Sequence, residues 1–287
     1  MKTGLVLEGG GMRGMFSAGV LDVLMDEQIS FDAVTGVSAG ALFGVNFLSG
    51  QRGRALRYNM NYGSYKEYMG LYPLLKEGNI VGTDFAYNKV PRELDVFDNE
   101  AFKKSNIPFY AVVTNVATGK PEYIQITDIF EQMDTLRASA SMPMVSKNVK
   151  INGNEYLDGG ISDSIPTTLF ENKGFDKIVV ILTRDINYRK KPTSKLVLDL
   201  FLSKYPKIKE QMLLRHINYN DKIERLLKLE KEGRIFIIRP EKPLTIGRTE
   251  AKKEALQETY DIGVKACRDN IDSLKKYLST PEVHLIF

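Results

Sequence analysis

The sequence is poor in the residues that hold a fold together through covalent bonds or metal ions. Its 287 residues include one cysteine, Cys267, two histidines and no tryptophan. A single thiol excludes an internal disulfide, and so few thiol and imidazole groups argue against a structural zinc site, which takes four ligands. We therefore expect a fold held by its apolar core, without a metal ion or another cofactor.

Long apolar segments are missing as well. No run approaches the roughly 20 apolar residues that a membrane-spanning helix needs. The N-terminal segment, residues 1–8, meets charged side chains too early for a secretion signal. Together with the single cysteine, this pattern predicts a protein of the reducing cytoplasm.

Acidic charge is scarce in one part of the chain. Residues 1–183 carry 17 Lys/Arg and 21 Asp/Glu, whereas residues 184–287 carry 23 and 15. The basic second part is consistent with peripheral contact with an anionic membrane surface, and equally with a well-solvated helical surface. Its basic residues are scattered among acids and form no nucleic-acid-binding motif, so nucleic acid is not an expected partner. The oligomeric state is not indicated.

Hydrophobic patterning predicts an alternation of short strands and helices, which is typical of an α/β fold. The Asn152-Gly153 pair predicts a tight hairpin. The first two strands, joined by a helix, should lie parallel, which brings their carboxyl ends to the same edge of the sheet. Apolar and β-branched runs predict strands at residues 4–8, 31–37, 108–115, 122–126, 149–151, 154–157, 176–183 and 234–240.

Several helical segments are predicted in detail. Asp128 should cap a helix that runs to about Ser139, residues 207–231 should form a long helix, and Cys267 should lie on the apolar stripe of the last helix. Residues 196–202 are unusually apolar and are flanked by lysines. Burial is the favoured interpretation for them, and contact with a membrane is the alternative.

Tyrosines recur every three or four residues between positions 58 and 72, which would place them on one side of a helix that breaks near Gly63. Most such stripes are ordinary packing. The alternative is an aromatic wall over an apolar substrate channel.

The segment Gly36-Val-Ser-Ala-Gly40 lies between a predicted strand and a predicted helix, the context that a G-x-S-x-G nucleophile turn requires. Side chains at the two glycine positions would collide with the neighbouring strand and helix, and the turn forces the serine into a strained conformation. Ser38 would then present its hydroxyl at a helix N-terminus, where the helix dipole favours negative charge. The alternative is that Ser38 merely caps the helix.

A second glycine-rich segment, Gly9-Gly-Gly-Met-Arg-Gly14, follows the first strand and opens a helix. Its first, third and sixth residues fit the G-x-G-x-x-G pattern of dinucleotide sites. Such sites need an acid at the end of the second strand, whereas Asp32 stands at the start of that strand. Nucleotide binding is therefore the weaker hypothesis for this loop.

The stronger hypothesis is that the backbone amides of Gly9, Gly10 and Gly11 form an oxyanion hole beside Ser38. Parallel pairing of the first two strands would bring the loop and the serine together at one edge of the sheet. Arg13 would add positive charge there or orient the loop.

Asp158 ends a predicted strand and is followed by Gly159 and Gly160, which let the chain turn sharply. A carboxylate brought to the edge of the sheet in this way is a candidate base for Ser38. Taken alone, the tripeptide is an ordinary turn. Asp163 is a weaker competitor for the same role.

These three motifs, in this order, resemble those of the patatin-like phospholipase family, and a fourth signature of the family, Ala138-Ser-Ala-Ser-Met-Pro143, lies between the second and the third. The resemblance covers about residues 4–185. It implies a three-layer α/β/α fold with a mostly parallel central sheet, and hydrolysis of lipid esters through a Ser-Asp dyad. It further implies that Ser38 is the nucleophile, Asp158 the base and Gly9–Gly11 the oxyanion hole.

On this basis we expect residues 1–185 to form a catalytic domain, and residues 186–287 to form a mainly helical C-terminal region packed on the same sheet. The substrate would be a lipid ester, such as a phospholipid or a lysophospholipid, and the dyad would need no metal ion.

Three alternatives stay open. A Ser-Asp-His triad would use His216 or His284, because both follow Asp158 in the chain. A catalytically silent lipid-binding or interaction protein would keep the same fold without turnover. Nucleotide binding at the glycine loop is the least favoured of the three.

Overall fold

The structure is a computed structural model that describes residues 1–281, and the strands in that part of the chain form one sheet. Their positions confirm the strands predicted from the apolar runs. The strands are β1 (Thr3–Leu7), β2 (Ala33–Val37), β3 (Phe109–Asn115), β4 (Pro121–Ile126), β5 (Val149–Ile151), β6 (Asn154–Asp158), β7 (Lys177–Ile181) and β8 (Ile235–Ile238).

Parallel pairing dominates the sheet. Its order is β5-β6-β3-β2-β1-β7-β8, with β4 paired to β3, and the β1–β2, β1–β7, β2–β3 and β7–β8 pairs are all parallel. The antiparallel strands β4, β5 and β6 lie at one end. Between β5 and β6 the hairpin turns at Asn152 and Gly153, both with positive φ (48° and 82°), as the sequence predicts.

Ten α-helices surround the sheet in the described part of the chain. A π-helix occupies Phe85–Leu94, and short 3₁₀ turns occupy Gly11–Arg13 and Gly159–Ile161. The α-helices are α1 (Gly14–Asp26), α2 (Ala39–Leu48), α3 (Arg54–Tyr62), α4 (Leu71–Glu77), α5 (Asn99–Lys104), α6 (Met133–Ser139), α7 (Thr167–Asn172), α8 (Lys195–Leu202), α9 (Pro206–Lys231) and α10 (Lys253–Ser279).

The central strands bury both faces because successive side chains point to opposite sides of a sheet. Leu5 and Leu7 of β1 join a core with residues of α1, α2, α3 and α10. Val6 between them joins a second core with residues of α7 and α9. The fold is therefore the predicted three-layer α/β/α arrangement around a mostly parallel sheet.

The C-terminal region is rich in helix and packs on both faces of the sheet. Strand β8 extends the sheet beside β7, α9 covers one face and α10 crosses α1 on the other. At that crossing a Cβ on Gly263 would lie 2.0 Å from the carbonyl oxygen of Phe16, so only glycine allows the helices to approach this closely. Cys267 is fully buried on the apolar side of α10. A division of the chain at residue 185 stays a prediction.

Two helix predictions need correction. Asp128 does not begin α6, because its carboxylate accepts hydrogen bonds from the amides of Phe130 and Glu131 in a local turn, and the helix starts at Met133. The prediction that residues 196–202 are buried is correct for one side of α8 only. Its Leu198 and Leu202 are buried, while Leu196, Leu200 and Phe201 are exposed, because an evenly apolar helix that docks on one side leaves the other side uncovered. No helix in residues 1–281 combines the length and apolarity of a bilayer span.

The pairing along β3 positions the candidate site. Strand β4 pairs with β3 from Phe109 to Thr114, so β2 and β6 must share the other edge of β3. There Val37 lies opposite Val112, and Asp158 lies opposite Val113. Since β2 and β6 run in opposite directions, their C-terminal ends meet.

Candidate active site

Ser38 occupies the tight turn between β2 and α2. Its backbone has φ 55° and ψ −123°, a conformation that costs a non-glycine residue of order 1–3 kcal/mol. A Cβ on Gly36 would lie 2.6 Å from the carbonyl oxygen of Gly40, and a Cβ on Gly40 would lie 2.6 Å from the carbonyl oxygen of Leu7. The turn therefore requires glycine at both positions, because a side chain at either would clash with nearby backbone atoms.

The hydroxyl of Ser38 does not cap α2, because it makes no capping hydrogen bond. The amide of Ser38 instead donates to Oγ of Ser139, at 2.9 Å. Ser139 is fully buried at the end of α6 and belongs to the fourth signature in the sequence. Its contact with the serine turn was not predicted, although the signature that contains it was recognised.

Asp158 ends β6 and lines the same cavity as Ser38, close enough for the Ser38 hydroxyl to lower the pKa of its carboxylate. Oδ1 also accepts from the amide of Gly160, at 2.7 Å, and the carbonyl oxygen of Asp158 accepts from Thr114 Oγ1 at 2.8 Å. Burial raises the pKa of Asp158, against the opposing effects of the Gly160 amide and the positive charge of Arg215. A buried carboxylate of raised pKa is a stronger base than an exposed one.

The glycines after Asp158 let the chain pass close to its neighbours. A Cβ on Gly159 would lie 2.3 Å from the carbonyl oxygen of Val112, so a side chain there would displace β3 or the turn. The carbonyl oxygen of Gly160 accepts a hydrogen bond from Nε of Arg215 on α9, at 2.5 Å. The C-terminal region therefore contacts the turn that carries Asp158.

The glycine loop after β1 lies beside Ser38. A Cβ on Gly9 would lie 3.1 Å from Cβ of Ser38, and a Cβ on Gly10 would lie 2.7 Å from Oγ1 of Thr183. Gly11 has φ +57° and a Cβ there would lie 2.6 Å from the carbonyl oxygen of Arg248. Among the described residues no acceptor is found for the amides of these three glycines. Amides without partners beside a hydroxyl can stabilise an oxyanion.

Arg13 follows this loop and is buried, with 7% of its surface exposed. Its Nε has no hydrogen-bond partner in the described part of the chain. Burial, reinforced by the positive charges of Arg184 and Arg248, lowers the pKa of Arg13 to about 10. The sequence places Arg13 at the glycine loop, and the structure shows that Arg184 and Arg248 lie near it.

Ser38 lies at the junction of two cavities. The first, which we call the apolar cavity, has a volume of about 130 Å³. Two of the five spaced tyrosines, Tyr58 and Tyr68, line it, and the helix that carries the first of them ends before Gly63 as predicted. Other residues of its wall include Leu42, Phe43, Tyr87, Val90, Ile129 and Leu136.

The second cavity, of about 310 Å³, contains Ser38, Asp158 and the glycine loop. We call it the basic cavity, because five basic side chains line it. Only one of them, Arg13, belongs to a motif recognised in the sequence. These side chains are Arg13, Arg184, Lys190, Arg215 and Arg248. The other four were not predicted from the sequence as residues of the site.

The alternative residues lie elsewhere. Asp163 accepts a hydrogen bond from Tyr123 and lines a separate cavity. His216 lies on α9 at an outer cavity that does not include Ser38, and its Nδ1 is buried without a partner among the described residues. His284 lies outside the described residues. Asp32 binds Thr3 at the opposite end of β2 from the glycine loop.

Within residues 1–281 no group of three or more His, Cys, Asp or Glu side chains is placed to hold a metal ion. The polar groups that converge on Ser38 are a carboxylate, backbone amides and cations. This set can accept a proton from an alcohol and stabilise negative charge on oxygen.

Comparison with known families gives two matches. The family model described as patatin-like phospholipase matches residues 5–170, which include Ser38, Asp158 and the glycine loop. A model described as a domain of unknown function, DUF6363, matches residues 205–279. The first match covers more than half of the chain.

Similar proteins include YjjU of Escherichia coli K12, 31% identical over 268 residues, which are 91% of this chain and 75% of that protein. Lysophospholipase NTE1 of Cryptococcus neoformans is 28% identical over 187 residues, 63% of this chain and only 11% of that protein. The chain thus corresponds to a small part of the lysophospholipases that it matches.

One similar solved structure is VipD from Legionella pneumophila, with 15% identity and a TM-score of 0.46 over 95% of this chain and 67% of that one. At that score the similarity adds nothing to what the sheet of this chain itself shows.

Proposed function

The chain belongs to the patatin-like phospholipase family, a family of lipid hydrolases, and on that premise we propose that it cleaves carboxylic esters of lipids with Ser38 as nucleophile and Asp158 as base. The observation that carries the proposal is that these two side chains line one cavity, Ser38 strained on a turn and Asp158 buried, close enough for the hydroxyl to lower the pKa of the carboxylate. Ser38 also lies at the edge of the apolar cavity.

In the proposed acylation step, Oγ of Ser38 attacks the ester carbonyl carbon while Asp158 takes the hydroxyl proton. The raised pKa of Asp158 supports this role, because an ordinary carboxylate is too weak a base for an alcohol. The carbonyl oxygen becomes an oxyanion, which the amides of Gly9, Gly10 and Gly11 would stabilise. Collapse of this intermediate expels the alcohol, which takes the proton back from Asp158.

In the proposed deacylation step, Asp158 takes a proton from water as that water attacks the acyl-enzyme carbonyl carbon. The same amides stabilise the second oxyanion, and the bond to Ser38 breaks as its oxygen regains the proton. The products are a fatty acid and regenerated enzyme. The chain's own side chains and amides account for every proton in the cycle.

The apolar cavity supports a long-chain ester as substrate. Its wall is formed mainly by aliphatic and aromatic side chains, with Arg54 and Arg248 among the polar exceptions, and Ser38 lies at its edge. An acyl chain in this cavity would place its carbonyl group next to the serine hydroxyl. With the names of the lysophospholipases that the chain matches, this favours phospholipase A or lysophospholipase activity.

His216 is the less favourable base. It lines the outer cavity, whereas Asp158 lines the same cavity as Ser38 and is close enough for the hydroxyl to lower its pKa. A dyad therefore accounts for the geometry without histidine.

We also propose peripheral contact with an anionic membrane surface through α8, in a cytoplasmic protein. Leu196 and Leu200 are 81% and 74% exposed, and Lys195 and Lys204 flank them. Apolar side chains bordered by lysines suit the headgroup layer of an anionic bilayer. Co-sedimentation with phosphatidylglycerol vesicles should weaken at least tenfold in Leu200→Glu, and an unchanged bound fraction would refute this contact.

The enzymatic proposal is tested by hydrolysis of p-nitrophenyl butyrate. Ser38→Ala should lower kcat by at least about 10³-fold, the scale found when a serine nucleophile is removed. The matched control is Ser194→Ala, which removes another serine at a helix N-terminus, exposed before α8. Equal rates for wild type and Ser38→Ala would leave the silent lipid-binding alternative.

A further inference from the structure

The cations of the basic cavity have no carboxylate partners. Arg13, Arg184, Lys190, Arg215 and Arg248 line one cavity, and no ion pair joins any of them to an acid in residues 1–281. Cations elsewhere do find such partners, as the bidentate pair of Arg225 with Glu171 shows, at 2.9 Å and 2.5 Å. Unpaired cations gathered in a cavity cost free energy unless an anion occupies it.

Burial lowers the pKa of three of the five, Arg13, Lys190 and Arg215. Arg13 keeps only 7% of its surface exposed and its Nε is unpartnered. Nζ of Lys190 lies 3.9 Å from the ring centre of Tyr219 and 3.5 Å from Oγ of Ser164, and burial with the charge of Arg215 lowers its pKa to about 6. A bound anion would offset the burial of the guanidinium groups and would raise the pKa of Lys190, so that its amine takes up a proton.

The two acids of the cavity, Glu8 and Asp158, offset only part of this charge, because five basic side chains face two carboxylates. Glu8 is already engaged, because its carboxylate accepts from the amide of Thr183 at 2.6 Å and from the hydroxyl of Tyr219 at 2.6 Å. The carboxylate of Asp158 accepts a hydrogen bond from the amide of Gly160. The cavity therefore presents an excess of positive charge to whatever enters it.

The two cavities meet at Ser38, so their order matches the order of groups along a phospholipid. An acyl chain in the apolar cavity leads to the ester carbonyl at Ser38, and the glycerol and phosphate beyond it would enter the basic cavity. We propose that the basic cavity binds the phosphate of an anionic phospholipid or lysophospholipid substrate. This assignment rests on the proposed ester hydrolysis and names its substrate class.

Most of this site lies outside the residues that define the family match. Arg184, Lys190, Arg215 and Arg248 all follow residue 170, and both Arg215 and Arg248 lie in the segment that matches DUF6363. Guanidinium groups bind phosphate oxygens through paired, charge-assisted hydrogen bonds. The C-terminal region would thus select the headgroup, while the N-terminal region performs the chemistry.

Binding can be tested apart from turnover. Ser38→Ala protein is titrated by calorimetry with sn-glycerol 3-phosphate, inorganic phosphate and glycerol at constant ionic strength. We expect glycerol 3-phosphate to bind, glycerol not to bind, and Arg184→Gln to weaken the Kd at least tenfold. The control is Arg225→Gln, a cation outside the cavity that is paired with Glu171.

No binding of glycerol 3-phosphate, or equal binding in Arg184→Gln, would overturn the proposal. Tighter binding of inorganic phosphate than of glycerol 3-phosphate would show a site for the free anion and overturn the lipid assignment. These outcomes do not depend on catalysis.

Turnover gives the second test. We compare kcat/KM for 1-oleoyl lysophosphatidate with kcat/KM for 1-oleoylglycerol in matched micelles. The ratio of the first to the second should exceed ten in wild type and fall at least tenfold in Arg184→Gln. Arg225→Gln should keep the wild-type ratio. An identical ratio in all three proteins would overturn the headgroup assignment and leave ester hydrolysis standing. Absence of any hydrolysis would instead refute the proposed function, and the calorimetric test would still decide whether phosphate binds.

Discussion

Ser38 and Asp158 face each other because β2 and β6 approach from opposite directions along the same edge of β3. Val37 and Asp158 lie opposite consecutive residues of that strand, Val112 and Val113. A hydroxyl on a strained turn and a buried carboxylate are thus held together by sheet pairing, with little dependence on flexible loops. The predictions below follow from this arrangement and from the two cavities around it.

The pH dependence of hydrolysis should report Asp158. The base must be ionised, so kcat/KM falls as the pH drops through the pKa of Asp158, which burial raises above the ordinary 3.8. The charge of Arg215 opposes this rise. Arg215→Gln should therefore move the acid limb for a neutral ester to higher pH, whereas Arg215→Lys, which keeps the charge, should leave it near the wild-type position. An acid limb unmoved by loss of the charge would refute this coupling.

The glycine loop should tolerate no side chain at Gly11. A Cβ there meets the carbonyl oxygen of Arg248 at 2.6 Å, and φ of +57° is unfavourable for alanine by about 1–2 kcal/mol. Gly11→Ala should lower kcat about tenfold or more, because the loop amides shift. The control is Gly50→Ala, which has a φ of +66° and nothing within 4 Å of the added Cβ. It should lose about 1 kcal/mol in urea unfolding and keep its kcat. Equal kcat in both variants would contradict the role of the loop.

The apolar cavity should set the acyl-chain preference. Ala86 lines it from the π-helix, and Ala86→Phe would fill part of the space. We expect kcat/KM for a dodecanoyl ester to fall at least about tenfold relative to the butanoyl ester, the scale of a lost apolar contact of ~1.4 kcal/mol. Ala117→Phe, an exposed turn position outside the cavity, serves as the control. A parallel change for both esters would place the acyl chain elsewhere.

The side chain of Lys190 should lower the free energy of unfolding at neutral pH. Its pKa is about 6 in the fold and 10.5 as the ordinary value, so between these pH values the unfolded chain holds one more proton. The free energy of unfolding therefore rises with pH across that window because of this residue. Lys190→Met should have a higher Tm than wild type at pH 7, and the difference should shrink towards pH 10. A Tm difference that is independent of pH would show that the ammonium is not desolvated.

The serine turn could be predicted from sequence because its determinants are local. Gly36 and Gly40 are needed because a side chain at either position would clash with backbone atoms a few residues away or in β1. The Asn152-Gly153 pair specifies the hairpin that leads to Asp158. The catalytic roles of Ser38 and Asp158 stay predictions until the variants are measured. The contact between Ser139 and the amide of Ser38 crosses 101 residues and leaves no local pattern.

The basic cavity could not be predicted for the same physical reason. Arg184, Lys190, Arg215 and Arg248 are spread over 65 positions, and nothing near each of them in sequence distinguishes an unpaired cation from a solvated one. Whether a cation finds an acid depends on the packing of α9 and the loops around it. The error at α8 is related, because six apolar residues among the seven of 196–202 do not show which side of a helix meets the core.

The most direct test of the account compares kcat for p-nitrophenyl butyrate in Asp158→Asn and His216→Ala, with Asp163→Asn as the control for a nearby buried aspartate. Asp158→Asn should lower kcat by about 10²–10⁴-fold, the contribution of a general base, while His216→Ala and Asp163→Asn stay within a few-fold of wild type. Near-normal turnover by Asp158→Asn, or a loss of that size in His216→Ala, would contradict the dyad.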